Sequence, residues 1–254
     1  MPAPTTRKSH SRSPKARTRA SVLSEGSTAG RSPLFGTVRP TCVFLAYTAK
    51  CTPDEARTLL QAIKGDRLEA LYSVALTMGL RQGEALGLRW QDVDLDLGYI
   101  KITKQLQRIH GSPRLVEPKT DRSRRSLALP PMIARALKQH LANQLRERDN
   151  TGAGWVDHDL VFTTPKGTPL DGTAVTKQFH HVLERAGLRQ RRFHDLRHSC
   201  ATLLLVQGVS PRVVMDLLGH SQIGLTMNTY SHVIPDLRRD TADRIDQLLG
   251  EREP

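Results

Sequence analysis

Apolar residues recur at the three-to-four-residue spacing of an amphipathic helix along most of the chain after residue 51. The first such segment follows the sequence T-P-D-E at Thr52, which forms a capping box with a proline in the first turn. Glycines and capping residues mark where the other helices stop and start. The predicted helices begin at Thr52 and cover about 68–78, 131–148, 171–186, 194–207 and 210–219, with a last helix that begins at Pro235.

The periodicity changes to that of strands between Asp92 and Leu129. Three segments there are typical of short strands, namely D-L-D-L-G-Y-I-K-I-T, R-L-V-E-P-K and R-R-S-L-A-L-P, with a turn near Gly111 to Pro113. They predict a small three-stranded antiparallel sheet. The fold class is therefore α+β, mainly α: a mixed helical domain with this sheet inserted.

The predicted apolar face of the helix at 131–148 consists of Ile133, Leu137, Leu141 and Leu145. In the helix that starts at His194, the apolar side chains Leu196, Cys200, Leu203 and Leu204 are expected to point toward the core. This orientation leaves His194 and Arg197, three residues apart on another face, free for a ligand.

The net charge of the chain indicates which class of molecule it binds. The 254 residues carry 38 Lys and Arg against 25 Asp and Glu, a net charge of +13. Such an excess favours a polyanion, either nucleic acid or an anionic membrane. No apolar run approaches the roughly 18 residues of a membrane helix, and no secretory signal is evident, so we expect a soluble, cytoplasmic protein without a membrane partner. The three cysteines lack metal-site spacing and are expected to be reduced.

Residues 1–46 differ in composition from the rest. The first 40 residues hold eight Lys and Arg against one acid and contain few large apolar side chains. We expect a disordered basic segment, since it cannot bury enough surface to offset its ordering entropy. It could be a basic arm on DNA phosphates, an organelle transit peptide, or a segment without a selected function.

Candidate chemistry lies between Phe193 and Tyr230. His194 and Arg197 are followed by His220, at a predicted helix end, and by Tyr230, after a polar run. Each residue alone is typical of a structural role. His194 and His198 have the spacing of a zinc pair, but the metalloprotease motif needs Glu where position 195 is Asp. The constellation, and no single member, points to catalysis.

The order H-x-x-R, L-G-H and Tyr resembles the C-terminal signature of the tyrosine recombinases, the phage-integrase family. Two further boxes are similar to that family. L-T-M-G-L-R-Q-G-E-A-L-G-L-R-W resembles the first-arginine box and places its arginine at Arg81, and E-P-K-T-D-R-S-R-R-S-L-A-L-P resembles the strand-borne lysine motif, at Lys119. The resemblance implies that residues 47–254 form a recombinase catalytic domain.

The family implies DNA cleavage and rejoining through a covalent 3′-phosphotyrosine, used in integration or excision. By resemblance the roles are a nucleophile at Tyr230, a phosphate clamp at Arg81 and Arg197, an acid at Lys119, proton transfer at His194 and a phosphate hydrogen bond at His220. No cofactor and no metal are implied. The expected partner is double-stranded DNA, bound by a homotetramer that assembles through the C-terminal helix.

Residues beside the motifs have supporting roles. We expect Glu84 to be buried and paired, orienting the site. The arginines next to Lys119 and before His194 are expected to contact backbone phosphates, which position a protein without reading sequence. These are Arg122, Arg124, Arg125, Arg191 and Arg192.

The resemblance has a gap, because family members usually carry a helical core-binding domain before the catalytic domain. The residues before Tyr47 are too short and too polar for that domain, which predicts a truncated or frame-shifted member. Two alternatives remain open: a DNA-binding remnant without strand exchange, and a DNA-relaxing enzyme similar to type IB topoisomerases.

Overall fold

The computed structural model describes residues 51–118 and 123–219. Within these ranges the helices are α1 (Pro53–Ala62), α2 (Glu69–Met78), α3 (Gln82–Leu86), α4 (Pro131–Thr151), α5 (Gly172–Arg185), α6 (Asp195–Val206) and α7 (Pro211–Leu218). The strands are β1 (Val93–Asp94), β2 (Tyr99–Ile102), β3 (Gln105–Ile109), β4 (Ser112–Val116) and β5 (Arg125–Ala128). The predicted class, α+β and mainly α, is confirmed.

Several predictions concern residues outside the described ranges. They are the basic segment 1–46, the site candidates Lys119, Arg122, His220 and Tyr230, and the helix that begins at Pro235.

Helix starts follow from the capping residues. The Thr52 hydroxyl accepts the backbone N–H of Glu55 at 3.1 Å, and the Glu55 carboxylate accepts the backbone N–H of Thr52 at 2.9 Å. Asp171 accepts two N–H groups at the start of α5, and Ser210 accepts one at the start of α7. These side chains satisfy N–H groups that have no partner inside the helix, so local sequence alone defines the three starts.

Helix α2 is the centre of the core. Residues 70–76 are all buried, and the helix packs against α4 and α6. The ring of Tyr72 lies 5.5 Å from that of Phe179 and 6.2 Å from that of Phe193. Because α2 contacts other elements on most sides, the residues that follow its end have fixed positions relative to α6.

The sheet differs from the prediction in its pairing. Strand β2 pairs antiparallel with β1 and β5, whereas β3 and β4 form a separate two-stranded hairpin. The first three residues of the predicted strand R-L-V-E-P-K, Arg114 to Val116, therefore lie in β4 of this hairpin. Its turn has positive φ at His110 (49°) and Gly111 (81°), the conformation that joins two strands through two residues. Strand β3 was missed because neither side of the hairpin is deeply buried.

The buried face of α4 was predicted correctly only in its first half. Ile133 and Leu137 are buried, but the next two buried positions are His140 and Gln144, and Leu145 is 48% exposed. The His140 Nε2 lies 2.7 Å from the carbonyl oxygen of Val161, and Gln144 accepts the Trp90 indole N–H at 2.6 Å. Buried backbone carbonyls need donors, so polar residues occupy positions where the periodicity favours leucine.

None of the described helices has both the length and the hydrophobicity that crossing a membrane requires.

Stability should fall in mild acid because of His140. Burial lowers the pKa of His140 below its ordinary value of about 6.5. The unfolded chain therefore takes up a proton near pH 6.5 that the folded chain does not, so the free energy of unfolding decreases as pH falls through that value. The loss from this group reaches at most about 1.4 kcal/mol per pH unit.

His140→Gln keeps a side-chain donor and removes the titration. Urea unfolding followed by circular dichroism between pH 8 and 5 should show a shallower decline for this variant than for the wild type. Equal slopes would show that His140 does not cause the acid sensitivity.

Candidate active site

Arg81 is placed by a tight turn after α2. Gly79 has φ of +62°, and a Cβ there would lie 2.6 Å from Cδ2 of Leu218 and 3.3 Å from Sγ of Cys200. Both the backbone conformation and the close approach of α6 and α7 therefore require glycine. The turn delivers Arg81 to the position before α3, beside the end of α7.

The Glu84 carboxylate is buried and lies at the centre of an arginine cluster. It accepts the backbone N–H of Arg81 at 3.0 Å and the Arg81 guanidinium at 2.5 Å. Arg125 donates to both of its oxygens, at 2.9 and 3.3 Å, and Nη1 of Arg197 lies 4.0 Å away. Burial alone would raise the pKa of Glu84, but the hydrogen bonds and charges of Arg125 and Arg81 outweigh it and hold the pKa below its ordinary value. The expectation that Glu84 is buried and paired is confirmed.

Arg197 projects from the first turn of α6 into the same cluster. Its guanidinium is buried and donates to the carbonyl oxygens of Gly79 at 2.7 Å and Leu218 at 2.5 Å. Arg81 donates to the next carbonyl, that of Gly219, at 3.4 Å. The two arginines thus meet around one carboxylate and at one end of α7. Arg197 was expected to be free for a ligand; in the structure its guanidinium donates to backbone carbonyls, because a buried guanidinium needs acceptors.

His194 lies at the start of α6, with its ring 5.0 Å from that of His198 in an edge-to-face arrangement. Partial desolvation and the positive charges of Arg197, Arg192 and Arg81 lower its pKa, against the opposing effect of Asp195. At neutral pH the imidazole is therefore uncharged and able to accept a proton.

The family model of the phage integrase family matches residues 50–236, which is most of the chain. The chain belongs to the phage integrase family. Among its curated relatives, a XerC-like tyrosine recombinase of Caldanaerobacter subterraneus subsp. tengcongensis is 34% identical over 208 residues, covering 77% of this chain and 53% of the relative. An integrase of Saccharopolyspora erythraea is 30% identical over 244 residues, covering 76% of this chain and 56% of the relative. This phage integrase family chain spans about half the length of these relatives.

Solved structures show the same fold. The Tn1549 transposon integrase in complex with transposon right end DNA superposes with a TM-score of 0.67 at 23% identity, covering 78% of this chain and 66% of that one. The XerH site-specific recombinase bound to a palindromic difH substrate has a TM-score of 0.55 at 26% identity, with coverage of 78% and 53%.

Of the six catalytic positions expected for a phage integrase family member, the structure describes three. It brings Arg81 and Arg197 to the Glu84 carboxylate and places His194 at the start of α6, three residues before Arg197. The other three are Lys119, His220 and Tyr230, which lie outside the described residues.

Two of the expected phosphate contacts, Arg191 and Arg125, have side chains that lie inside the protein. The Arg191 side chain is 2% exposed and donates to Glu55 at 2.7 Å, which ties the segment before α6 to the capping box of α1. Arg125 is 8% exposed and bonded to Glu84 and to the carbonyl oxygen of Leu217. Both guanidiniums point into the protein, because each donates hydrogen bonds to an acceptor that is buried or partly buried.

The other two described candidates are accessible. Arg124 is about half exposed and pairs with Glu117, while Arg192 is 78% exposed and lies 3.0 Å from Asp195. The Arg124–Glu117 pair is exposed on both sides, and such pairs contribute little to stability, whereas Asp195 is buried. Arg124 can therefore exchange its partner for a phosphate, and Arg192 can turn its exposed guanidinium toward one while its backbone N–H stays bonded to Asp195.

The pairing of Arg125 with Glu84 was not predicted, although the sequence contains a signal for it. Alternate residues of a strand face the same side, so Arg125 shares a face with Leu127. Leu127 is buried, whereas Ser126 and Ala128 are exposed. An arginine two residues from a core leucine on a predicted strand is expected to point inward.

Gly79→Ala should destabilise the protein more than a matched glycine substitution. Gly65 also has positive φ (+76°), but a Cβ there would meet nothing within 4 Å. Both variants incur about 1–2 kcal/mol from the left-handed conformation. Gly79→Ala adds overpacking against Leu218, about 1–3 kcal/mol.

Urea unfolding of Gly79→Ala and Gly65→Ala measures the difference directly. Equal losses in the free energy of unfolding would mean that α7 does not constrain the turn that carries Arg81.

Proposed function

We propose that this chain is a site-specific DNA recombinase or integrase that cleaves and rejoins DNA through a covalent 3′-phosphotyrosine at Tyr230. The observation that supports it is the convergence of Arg81 and Arg197 on one buried carboxylate, with His194 at the start of the helix that carries Arg197. An arginine pair with a neutral base beside it suits attack on a phosphodiester.

The arginines supply the electrostatic part of the reaction. Negative charge builds on the non-bridging phosphate oxygens as the nucleophile attacks, and each guanidinium presents a planar fork of donors to such oxygens. The Arg81 side chain is 36% exposed, so it can approach a bound phosphate. Removing one preorganised donor of this kind typically costs about 10²–10³ in rate.

The remaining steps are assigned by motif. The Tyr230 oxygen attacks phosphorus while the bond to the 5′ oxygen breaks. His194 accepts the tyrosine proton, Lys119 protonates the leaving 5′ oxygen, and His220 donates a hydrogen bond to the phosphate. A DNA hydroxyl then reverses the step. No cofactor is needed, because the phosphotyrosine conserves the bond energy and the arginines stabilise the charge. Acid–base assistance typically contributes about 10²–10⁴ in rate.

The partner in this proposal is double-stranded DNA. The XerH and Tn1549 structures are complexes with DNA, and the net charge of +13 favours a polyanion. Assembly as a homotetramer through the C-terminal helix, and action in the cytoplasm, belong to the same proposal.

Tyr230→Phe should abolish a covalent protein–DNA adduct and leave DNA binding intact. The substrate is a duplex with the sequence that the wild-type protein selects from a random pool, nicked so that cleavage becomes irreversible. Adduct is measured by denaturing electrophoresis and binding by fluorescence anisotropy.

An adduct that persists in Tyr230→Phe would exclude Tyr230 as the nucleophile. Salt-sensitive binding with no adduct from the wild type would indicate a DNA-binding remnant. Relaxation of a supercoiled plasmid that lacks the selected sequence would indicate topoisomerase-like activity.

Phosphate contacts can be counted from the salt dependence of binding. Arg124→Gln and Arg192→Gln should each reduce the slope of log K against log salt by about one, because each removes a phosphate partner. Arg57→Gln, a change at an exposed arginine of α1 that pairs with Asp54, is the control and should leave the slope unchanged. Unchanged slopes for the first two variants would remove Arg124 and Arg192 from the DNA interface.

A further inference from the structure

Three arginines donate to three consecutive carbonyls at the end of α7. Arg125 Nε donates to Leu217 at 2.7 Å, Arg197 Nη2 to Leu218 at 2.5 Å and Arg81 Nη2 to Gly219 at 3.4 Å. The last carbonyls of a helix have no partner within the helix, and the helix dipole places partial negative charge there. The end of α7 is therefore bound by three cations that come from three other parts of the fold.

The same three guanidiniums surround Glu84. Arg125 makes the largest number of hydrogen bonds that join the Glu84 carboxylate to the end of α7. Its Nη2 and Nη1 donate to the two Glu84 oxygens while its Nε donates to Leu217. Nη1 also donates to the carbonyl oxygen of Ser123 at 3.1 Å. These bonds use all three nitrogens of the guanidinium, so the side chain has one defined position.

We infer that Arg125 is a positioning residue for strand cleavage: it fixes the end of α7, from which the chain continues to His220, against Glu84 and the two clamp arginines. This inference deepens the proposed function and rests on it. Arg125 acts through its neighbours, since all three nitrogens of its guanidinium donate to acceptors of the protein.

The charge count gives the reason for a third arginine. Glu84 carries one negative charge and faces Arg81 from the start of α3, Arg125 from β5 and Arg197 from α6. Three arginines and one carboxylate leave a net charge of +2, so two positive charges remain for the phosphate. Without Arg125, Glu84 would offset the charge of either Arg81 or Arg197, and one fewer positive charge would be available to the phosphate.

Lysine cannot replace this residue. A single ammonium group lacks the planar fork that reaches two carboxylate oxygens and a carbonyl at once. Arg125→Lys should therefore keep the charge and still fail to restore the geometry.

The anchoring can be tested without DNA. Hydrogen–deuterium exchange of the full chain should be faster within residues 211–219 in Arg125→Met than in the wild type. Arg57→Met, at an exposed arginine outside the site, is the control and should leave this segment unchanged. Unchanged exchange in Arg125→Met would overturn the inference.

The effect on cleavage is tested by single-turnover adduct formation on the nicked, selected duplex. Arg125→Met and Arg125→Lys should both slow adduct formation by about 10- to 100-fold, the scale of a small misplacement of reacting groups. The affinity for DNA and its salt slope should remain as in the wild type.

Two results would overturn the positioning role: a wild-type cleavage rate despite faster exchange, or a salt slope reduced by about one, which would make Arg125 a phosphate contact. If the wild type itself forms no adduct, the proposed function fails, and the exchange measurement still decides the anchoring.

A folding defect in Arg125→Met is handled by a double variant. Glu84→Gln combined with Arg125→Met removes the unpaired buried charge and still lacks the donor to Leu217. It should fold and still exchange faster within 211–219, and wild-type exchange in this variant would contradict the anchoring.

Discussion

The buried carboxylate of Glu84 is the constraint on which the rest of the site depends. A carboxylate removed from water is stable only when charges and hydrogen bonds replace its hydration. Here the replacements come from the turn after α2, from β5 and from α6, so one acidic residue brings three parts of the chain to one point. Removing one partner of such a buried pair typically destabilises a protein by about 3–5 kcal/mol, because the other charge remains unpaired.

The backbone carbonyls at the end of α7 are stabilised in the same way, by hydrogen bonds from arginines. Arg81, Arg125 and Arg197 have more donors than Glu84 has acceptor sites, and the surplus donors go to the carbonyls of α7 and to that of Gly79. Helix position and side-chain charge are thus coupled. A change at any of the three arginines affects the carboxylate and the helix together, which makes the cluster a cooperative unit.

The core explains why this cluster can be precise. Helix α2 is buried along its length and packs on α4 and α6, so the turn at Gly79 begins from a fixed point. That turn passes so close to Leu218 and Cys200 that a side chain at position 79 would displace one of them. In the proposed reaction, this rigidity would hold Arg81 and Arg197 at a constant separation before a phosphate arrives.

The sequence by itself determined the helix starts at Thr52, Asp171 and Ser210, the helix stops at Gly79 and Gly219, and the family, because these depend on short-range patterns. Tertiary structure decided which polar residues are buried. The sequence marked five arginines as phosphate contacts, yet Arg125 and Arg191 lie inside, since their partners Glu84 and Glu55 are 41 and 136 residues away. Likewise, the buried face of α4 changes to His140 and Gln144 because carbonyls from residues 160 and 161 reach it. A local pattern specifies which side of a helix or strand is apolar, but only the folded chain specifies which distant acceptor a polar side chain meets.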